Sequence, residues 1–306
     1  MKIENKHTVR CSLSMLAILL LGMVGCSEGD GRFPSGEGHK LVLRASSEQL
    51  AGEVSFSDTV FFAKGGVSGK YTEIWKACVK ADGSASLSEP KYYPSDDSRI
   101  YLCGFAPEGT PDDAGGRKYS LDGRQDILVS NEQNGSLTDM FWQEGKSFEF
   151  VHLLSQLRFR LCCDAEGEGK GWTLLSLRVE GIQRDAVLSL ADKNLSFSGE
   201  KGIVTVLDRT EEGEKLPLAT DWSDIEEATL IQPGVGVSLT IMLADAGGNP
   251  VCFEHLPVTF HEDDNLPVAG TSYLLSVRLR SEDEASLSVA VAPWKTGAPG
   301  NGTITE

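Results

Sequence analysis

Apolar and polar residues alternate along two segments of the chain. Leu157, Phe159 and Leu161 alternate with two arginines, and the same period of two runs through residues 273–280. Successive side chains of a β-strand point to opposite faces of the sheet. This spacing therefore predicts strands with one face in a core and the other in water.

Shorter segments rich in β-branched and aromatic residues predict further strands. They are residues 40–45, 59–63, 72–80, 99–105, 126–130, 147–162, 172–179, 186–190, 202–207, 229–232, 235–243, 251–258 and 286–292. Turn-forming residues separate most of them, at residues 81–83, 121–123, 134–135 and 246–250. Helical periodicity is confined to one predicted turn at 223–228. Many short strands with frequent turns predict an all-β protein of sandwich or barrel type.

The start of the chain differs from the rest. Lys2, Lys6 and Arg10 stand before an uncharged run over residues 13–24. That run is shorter than the roughly 20 apolar residues that cross a bilayer, so residues 1–25 are predicted to be a secretory signal peptide. Residues 21–26 resemble a bacterial lipobox, which implies that Cys26 is lipidated and becomes the mature N-terminus. The alternative is an ordinary signal peptide that leaves a free thiol at position 26.

The segment after Cys26 is polar and rich in glycine, and residues 26–38 are predicted to form a flexible tether. A polar, glycine-rich stretch at residues 164–171 suggests a domain boundary. It divides the remainder into an N-terminal β-sandwich over residues 39–165 and a C-terminal β-sandwich over residues 166–306. A long hairpin loop within one domain is the competing interpretation.

The net charge of the chain excludes one class of binding partner. The chain has a net charge of −17, and residues 1–25 carry +2, so the mature part carries −19. So acidic a chain repels nucleic acid, and no nucleic-acid partner is expected. Five cysteines remain after the signal and the anchor, without metal-binding spacing. They are Cys78, Cys103, Cys162, Cys163 and Cys252. The sequence does not determine which of them form disulfides, and it leaves a Cys78–Cys103 disulfide as one alternative.

Catalytic motifs are missing from the sequence. It contains no HExxH zinc motif, no GxSxG nucleophile elbow and no phosphate-binding Walker loop. We therefore expect no enzyme activity, no catalytic residue, no metal and no cofactor. Within its predicted strand, His152 is expected to be a packed or hydrogen-bonded core residue.

Three features together resemble the fimbrillin family of surface fimbrial subunits. They are the lipobox cysteine with its acidic tether, the run from Phe148 to Leu161 that includes His152 and Ser155, and the ending at residues 289–304 with Trp294 and a glycine-rich tail. The resemblance implies two tandem transthyretin-like β-sandwiches. It also implies a lipoprotein precursor that reaches the outer membrane and is held at the cell surface by its lipid.

In the fimbrillin family, shaft subunits are clipped after a basic residue in the first strand. A strand from another subunit then fills the groove, which is β-augmentation. Arg44 is the candidate cleavage site here, and the alternative is an ordinary solvent-facing arginine. Removal of the first strand would expose about four inward side chains. Their burial contributes a free energy on the order of 10 kcal/mol, as an upper bound. An edge position for residues 40–45 would favour exchange, whereas a position inside a sheet would not.

The expected function is a structural and adhesive subunit of cell-surface fimbriae. Its expected partners are other fimbrial subunits, the outer membrane through the lipid anchor, and a ligand on a host or bacterial surface. Asp58-Thr59-Val60 resembles an O-glycosylation tripeptide, so Thr59 is a candidate glycosylation site. Whether the chain is a shaft, anchor or tip subunit stays open.

Two rival functions compete with the fimbrial interpretation. The first is a glycan-binding surface lipoprotein with tandem β-sandwiches, which requires exposed aromatic residues. Its candidates are Trp75, Trp142, Trp172, Trp222 and Trp294. The second is a β-sandwich hydrolase, which requires a cleft with converging ionisable groups.

Overall fold

The structure of the protein is a computed structural model. It describes residues 39–46, 59–80, 83–210, 215–260, 264–280, 284–292 and 294. Cys26, Asp58 and the predicted signal and tether lie outside the described residues.

Strands make up nearly all of the regular structure. The strands of the N-terminal part are β1 (Leu43–Ser46), β2 (Thr59–Gly65), β3 (Glu73–Val79), β4 (Ser84–Leu87), β5 (Ile100–Ala106), β6 (Thr110–Pro111), β7 (Arg117–Ser120), β8 (Leu128–Gly135), β9 (Phe148–His152) and β10 (Ser155–Cys163). A short helix, α1 (Ala165–Gly169), follows. The remaining strands are β11 (Thr173–Ser189), β12 (Asn194–Asp208), β13 (Leu216–Pro217), β14 (Ser223–Ile231), β15 (Ser238–Ala244), β16 (Pro250–Pro257), β17 (Ser272–Arg280) and β18 (Glu284–Ala292). The prediction of an all-β protein is confirmed.

Seven strands close into a barrel in the order β1, β4, β3, β2, β5, β8, β9. Neighbours pair antiparallel except β1 and β9, which run parallel. Strand β2 shows why the sequence favours this arrangement. Val60 and Phe62 point into the barrel core, while Phe61 and Ala63 point outwards into a second core. Both faces are apolar because both are buried.

A four-stranded sheet, in the order β14, β10, β17, β18, packs against a sheet with the path β16, β15, β11, β7, β6. The predicted alternation in β10 is confirmed, since Leu157, Phe159 and Leu161 are buried between these sheets. Strand β11 is longer than predicted. The segments 172–179 and 186–190 belong to one 17-residue strand, paired along most of its length with β12.

The two halves of the chain share a sheet and a core. Strand β7 pairs with β11 across the predicted boundary, from Asp185 opposite Ser120 to Leu188 opposite Arg117. Phe61 and Phe105 of the barrel pack in one apolar cluster with Leu188. The division into tandem sandwiches at residue 165 stays a prediction, as does their transthyretin-like topology.

Three local expectations were wrong. Residues 223–228 are not a helical turn but the start of β14, because pairing with β10 and burial of Ile225 outweigh the local capping signal of Ser223. Residues 134–135 are not a turn but the end of β8, where Gly135 pairs with Ile100. The boundary segment contains α1, because the Asp164 side chain accepts a hydrogen bond from the Gly167 amide at 2.9 Å and caps the helix.

Among the described residues, no helix is both long enough and apolar enough to cross a membrane.

Candidate functional site

Strand β1 is the element on which the assembly hypothesis depends. Leu43 and Arg44 pair with Ala85 and Ser84 of β4, while the next two residues pair with β9. The strand therefore lies between two neighbours and closes the barrel. The edge position that would favour exchange is not found, because β1 pairs with β4 on one side and with β9 on the other.

The pairing of β1 with its two neighbours is nevertheless short, although the residues before it are also bonded, as by the Leu41 amide, which donates to the Lys91 carbonyl at 2.8 Å. Each neighbour pairs with only two of its residues. Three inward side chains, those of Leu41, Leu43 and Ala45, lie in the barrel core. A buried leucine contributes about 1.5–3 kcal/mol, so the apolar contribution of this segment is roughly 3–6 kcal/mol, below the value expected for four inward residues.

Arg44 points away from the core, and its side chain is exposed. The peptide bond that follows it is less accessible. The amide of Ala45 donates a hydrogen bond to the Gly83 carbonyl at 2.8 Å, and Ala45 is buried. A protease that binds an extended substrate needs this part of β1 to open first. Cleavage at Arg44 stays a prediction.

Removal of β1 would leave a groove between β4 and β9. Its floor is aromatic, because Phe148 and Phe150 of β9 are fully buried and Phe62 packs edge-on against Phe148 with ring centroids 4.8 Å apart. Its walls would carry the backbone groups of β4 and β9 that now pair with β1. Unpaired strand edges of this kind accept a further strand.

His152, at the end of β9, links the barrel to the last described residue. The ring of Trp294 stacks on its imidazole with centroids 3.9 Å apart. Its Nδ1 lies 2.5 Å from Asp126 Oδ2. The expectation that His152 is a packed core residue is confirmed, since it is buried. No local sequence pattern predicts its pairing with Asp126.

Glu132 is a polar centre that sequence reasoning missed. Its carboxylate accepts hydrogen bonds from Ser68 Oγ at 2.6 Å, the Gly69 amide at 2.9 Å and Tyr71 Oη at 2.5 Å. Burial would raise the pKa of Glu132, but the bonds from Ser68, Tyr71 and Gly69 outweigh it and lower the pKa. These hydrogen bonds connect the loop between β2 and β3 to strand β8.

Thr59, the candidate glycosylation site, is the first residue of β2. It is half-buried and lies opposite Cys78 of β3. Its modification stays a prediction.

The five tryptophans proposed for glycan binding differ in exposure, and one of them, the half-buried Trp294, is stacked on His152. Trp75 and Trp172 are buried and cannot serve as platforms. Trp142 is 50% exposed and Trp222 is 39% exposed. The Arg160 and Arg278 guanidinium carbons lie 4.9 and 5.3 Å from the centre of the Trp222 ring.

The described cysteines are free thiols that lie partly in the core and partly on the surface. All five described cysteines are free, with Cys78 and Cys252 exposed and Cys103, Cys162 and Cys163 buried. Burial raises the pKa of the Cys103 thiol to about 11, and it raises that of Cys163 to about 11 as well. Such thiols stay protonated and unreactive at neutral pH.

The described residues contain no group of three or more His, Cys, Asp or Glu side chains placed to hold a metal ion. One carboxylate–imidazole pair lies on the surface, where His255 Nδ1 is 2.7 Å from Glu180 Oε2. Thr240 Oγ1 donates to Glu180 at 2.6 Å, and this bond is the main cause of the lowered pKa of Glu180.

Comparison with known proteins gives one family. The model of a family described as fimbrillin-like matches residues 45–294. No curated protein matches the chain.

Two of the solved structures that match the chain illustrate the shared fold. One is a candidate cell adhesion protein from Bacteroides uniformis, with a TM-score of 0.56, 16% identity, and coverage of 84% of this chain and 98% of that one. The other is a candidate cell adhesion protein from Bacteroides ovatus, with a TM-score of 0.52, 7% identity, and coverage of 86% and 99%. Identities this low establish similarity of fold alone.

Proposed function

Because this chain belongs to the fimbrillin-like family, we propose that it is a structural and adhesive subunit of cell-surface fimbriae without catalytic activity. The observation that carries the proposal is the family match over residues 45–294, which includes most of the described structure. Other fimbrial subunits are then its principal partners, and the cell surface is its location.

The assembly step that we propose is strand exchange at the barrel. Loss of the segment that contains Leu41 and Leu43 would expose the aromatic floor formed by Phe62 and Phe148. A strand from another subunit could bury that floor again and pair with β4 and β9. Because β1 is held on both sides, assembly requires its removal by cleavage rather than its fraying.

An Arg-specific protease tests this step. Purified protein treated with the protease should give a ladder of multimers on a gel, and the Arg44→Ala variant should remain a single band. A wild-type protein that is cut after Arg44 and stays monomeric would contradict the proposal. A ladder that also forms from Arg44→Ala would place the cleavage elsewhere, with Arg32 as the next arginine upstream.

We further propose that the chain is exported as a lipoprotein and that its form before cleavage at Arg44 is anchored in the outer membrane through Cys26. The lipobox-like segment supports this, and stable anchoring requires more than one acyl chain. Mass spectrometry of the mature N-terminus should find a lipid-modified Cys26. Cys26→Ser should release the protein from the membrane fraction, and an unmodified Cys26 in the mature wild-type protein would refute the anchor.

A further inference from the structure

The outer face of the four-stranded sheet carries an unusual group of side chains. Strands β10 and β17 run parallel and in register, with Arg160 beside Ser276 and Cys162 beside Arg278. The opposite face of these strands forms the core, through residues such as Phe159 and Val277. Arg160 and Arg278 therefore share the face that points to solvent.

Trp222, just before β14, joins the two arginines. Both guanidinium groups lie within about 6 Å of its ring centre, the range of a cation–π interaction. We call Arg160, Arg278 and Trp222 the arginine–tryptophan cluster. The two guanidinium groups lie over the ring and the indole is partly exposed, so the cluster presents two cations together with the exposed part of one indole.

The charges of the cluster are not neutralised within the described part of the chain. Arg160 Nε donates to Ser276 Oγ at 2.6 Å, and Arg278 lies beside the Cys162 thiol. No described carboxylate lies within ion-pair distance of either guanidinium; Asp224, which is opposite Arg160 in β14, forms no ion pair with it. Two such arginines are notable in a chain with a net charge of −17.

The sheet leaves space next to these side chains. The strand that follows β17 in the sheet, β18, places Ser286, Ser288 and Ala290 on the same face as Arg278, and all three are exposed. Side chains this small do not shield the longer arginines. The site is an open sheet face and not a cavity, which suits an extended polymer better than an enclosed small molecule.

We infer that the arginine–tryptophan cluster binds an anionic glycan, a polysaccharide that carries carboxylate or sulfate groups. A guanidinium group forms paired, charge-assisted hydrogen bonds with such anions. An indole offers an apolar surface and a polar edge to a sugar ring. The inference rests on the adhesive part of the proposed function but not on its assembly step.

The test measures binding of the uncleaved protein to three immobilised polysaccharides by biosensor. Heparin carries sulfate and carboxylate, polygalacturonate carries carboxylate alone, and dextran is neutral. The wild-type protein should bind at least one of the two polyanions and not dextran, with affinity that falls as salt rises. Binding of both polyanions would identify carboxylate as sufficient, and binding of heparin alone would identify sulfate.

Matched variants locate the site. Arg160→Ala with Arg278→Ala should weaken polyanion binding about tenfold or more, because charge-assisted hydrogen bonds are lost. Trp222→Ala should weaken it roughly threefold to tenfold. Arg124→Ala and Trp142→Ala alter an arginine and a tryptophan that are exposed elsewhere, and they should bind within about twofold of wild type. The double Arg→Lys variant keeps the charge without the planar fork, and its affinity should lie between those of wild type and the double alanine variant.

Three results would overturn the inference. They are no binding of either polyanion, equal binding by the wild type and the double alanine variant, and an equal loss in Arg124→Ala. Sedimentation of the same proteins tests a further occupant: a dimer abolished by the double alanine variant, without polyanion binding, would assign the face to a second copy of the chain. Protease-induced ladders should be the same in all these variants, so a failure of the glycan site is distinct from a failure of assembly.

Discussion

Trp294 stacks on the imidazole of His152, and this contact ties the last described residue of the chain to the final strand of the barrel. The two residues are separated by nearly half of the sequence. Trp294 also packs against the apolar cluster in which barrel residues meet those of β11. The contact therefore holds together parts of the molecule that the sequence places far apart.

The first prediction concerns this contact. Trp294→Ala should lower the free energy of unfolding by about 1–3 kcal/mol, because it removes an aromatic stack and part of an apolar cluster. Chemical denaturation measures the change. Trp142→Ala removes an exposed tryptophan and should change the stability by no more than about 0.5 kcal/mol. Equal effects of the two substitutions would show that the Trp294 contact is not stabilising.

The second prediction concerns close packing in the barrel. A Cβ atom on Gly104 would lie 2.5 Å from Phe150 Cζ and 2.9 Å from Ser130 Oγ. Gly104→Ala should therefore destabilise the protein by about 1–3 kcal/mol, the usual range for overpacking.

Thermal unfolding of Gly104→Ala, compared with that of Gly66→Ala, measures the packing effect. A Cβ on Gly66 would have no neighbour within 4 Å, so this control should keep the wild-type midpoint. An unchanged midpoint in Gly104→Ala would mean that Phe150 has room to move.

The third prediction concerns pH. Folding lowers the pKa of Glu132. The ionised group therefore stabilises the fold at any pH above about 4.3, the pKa of a glutamate in the unfolded chain. This contribution is lost as the pH falls through the pKa of Glu132 in the folded protein. Glu132→Gln should be less stable than wild type at pH 7, because the amide group faces donors that need an acceptor.

Unfolding measured in denaturant between pH 7 and pH 3 gives the stability of both proteins. The gap between wild type and Glu132→Gln should narrow as the pH falls below the unfolded pKa of about 4.3, because proton uptake then favours the unfolded wild-type chain. A gap that is constant over this range would show that the ionisation of Glu132 does not contribute.

The sequence predicted those parts of the fold that depend on local pattern. Alternation located the inward residues of β10 correctly, because burial of one face requires a period of two. Local signals failed where distant pairing decides the outcome. Ser223 looks like a helix cap, but pairing of its segment with β10 makes it the first residue of a strand.

The candidate sites show the same limit. Arg44 could be selected from the sequence because the family resemblance implies cleavage after a basic residue in the first strand, yet the position of β1 between β4 and β9 depends on closure of the barrel. The three donors to Glu132 come from a hairpin more than 60 residues away in the chain. The approach of Trp222 to two arginines likewise depends on the order of strands in a sheet, which local periodicity does not contain.

Strand replacement at the barrel is the central claim, and sedimentation velocity tests it most directly. A chain that begins at Ala45 lacks Leu41 and Leu43, whereas a chain that begins at His39 retains them. The shorter chain should sediment as a series of multimers, and an excess of a peptide of residues 39–46 should suppress them. The longer chain should sediment as a monomer. If both chains are monomers with the same β-sheet circular dichroism, loss of the first strand does not drive assembly and the account is contradicted.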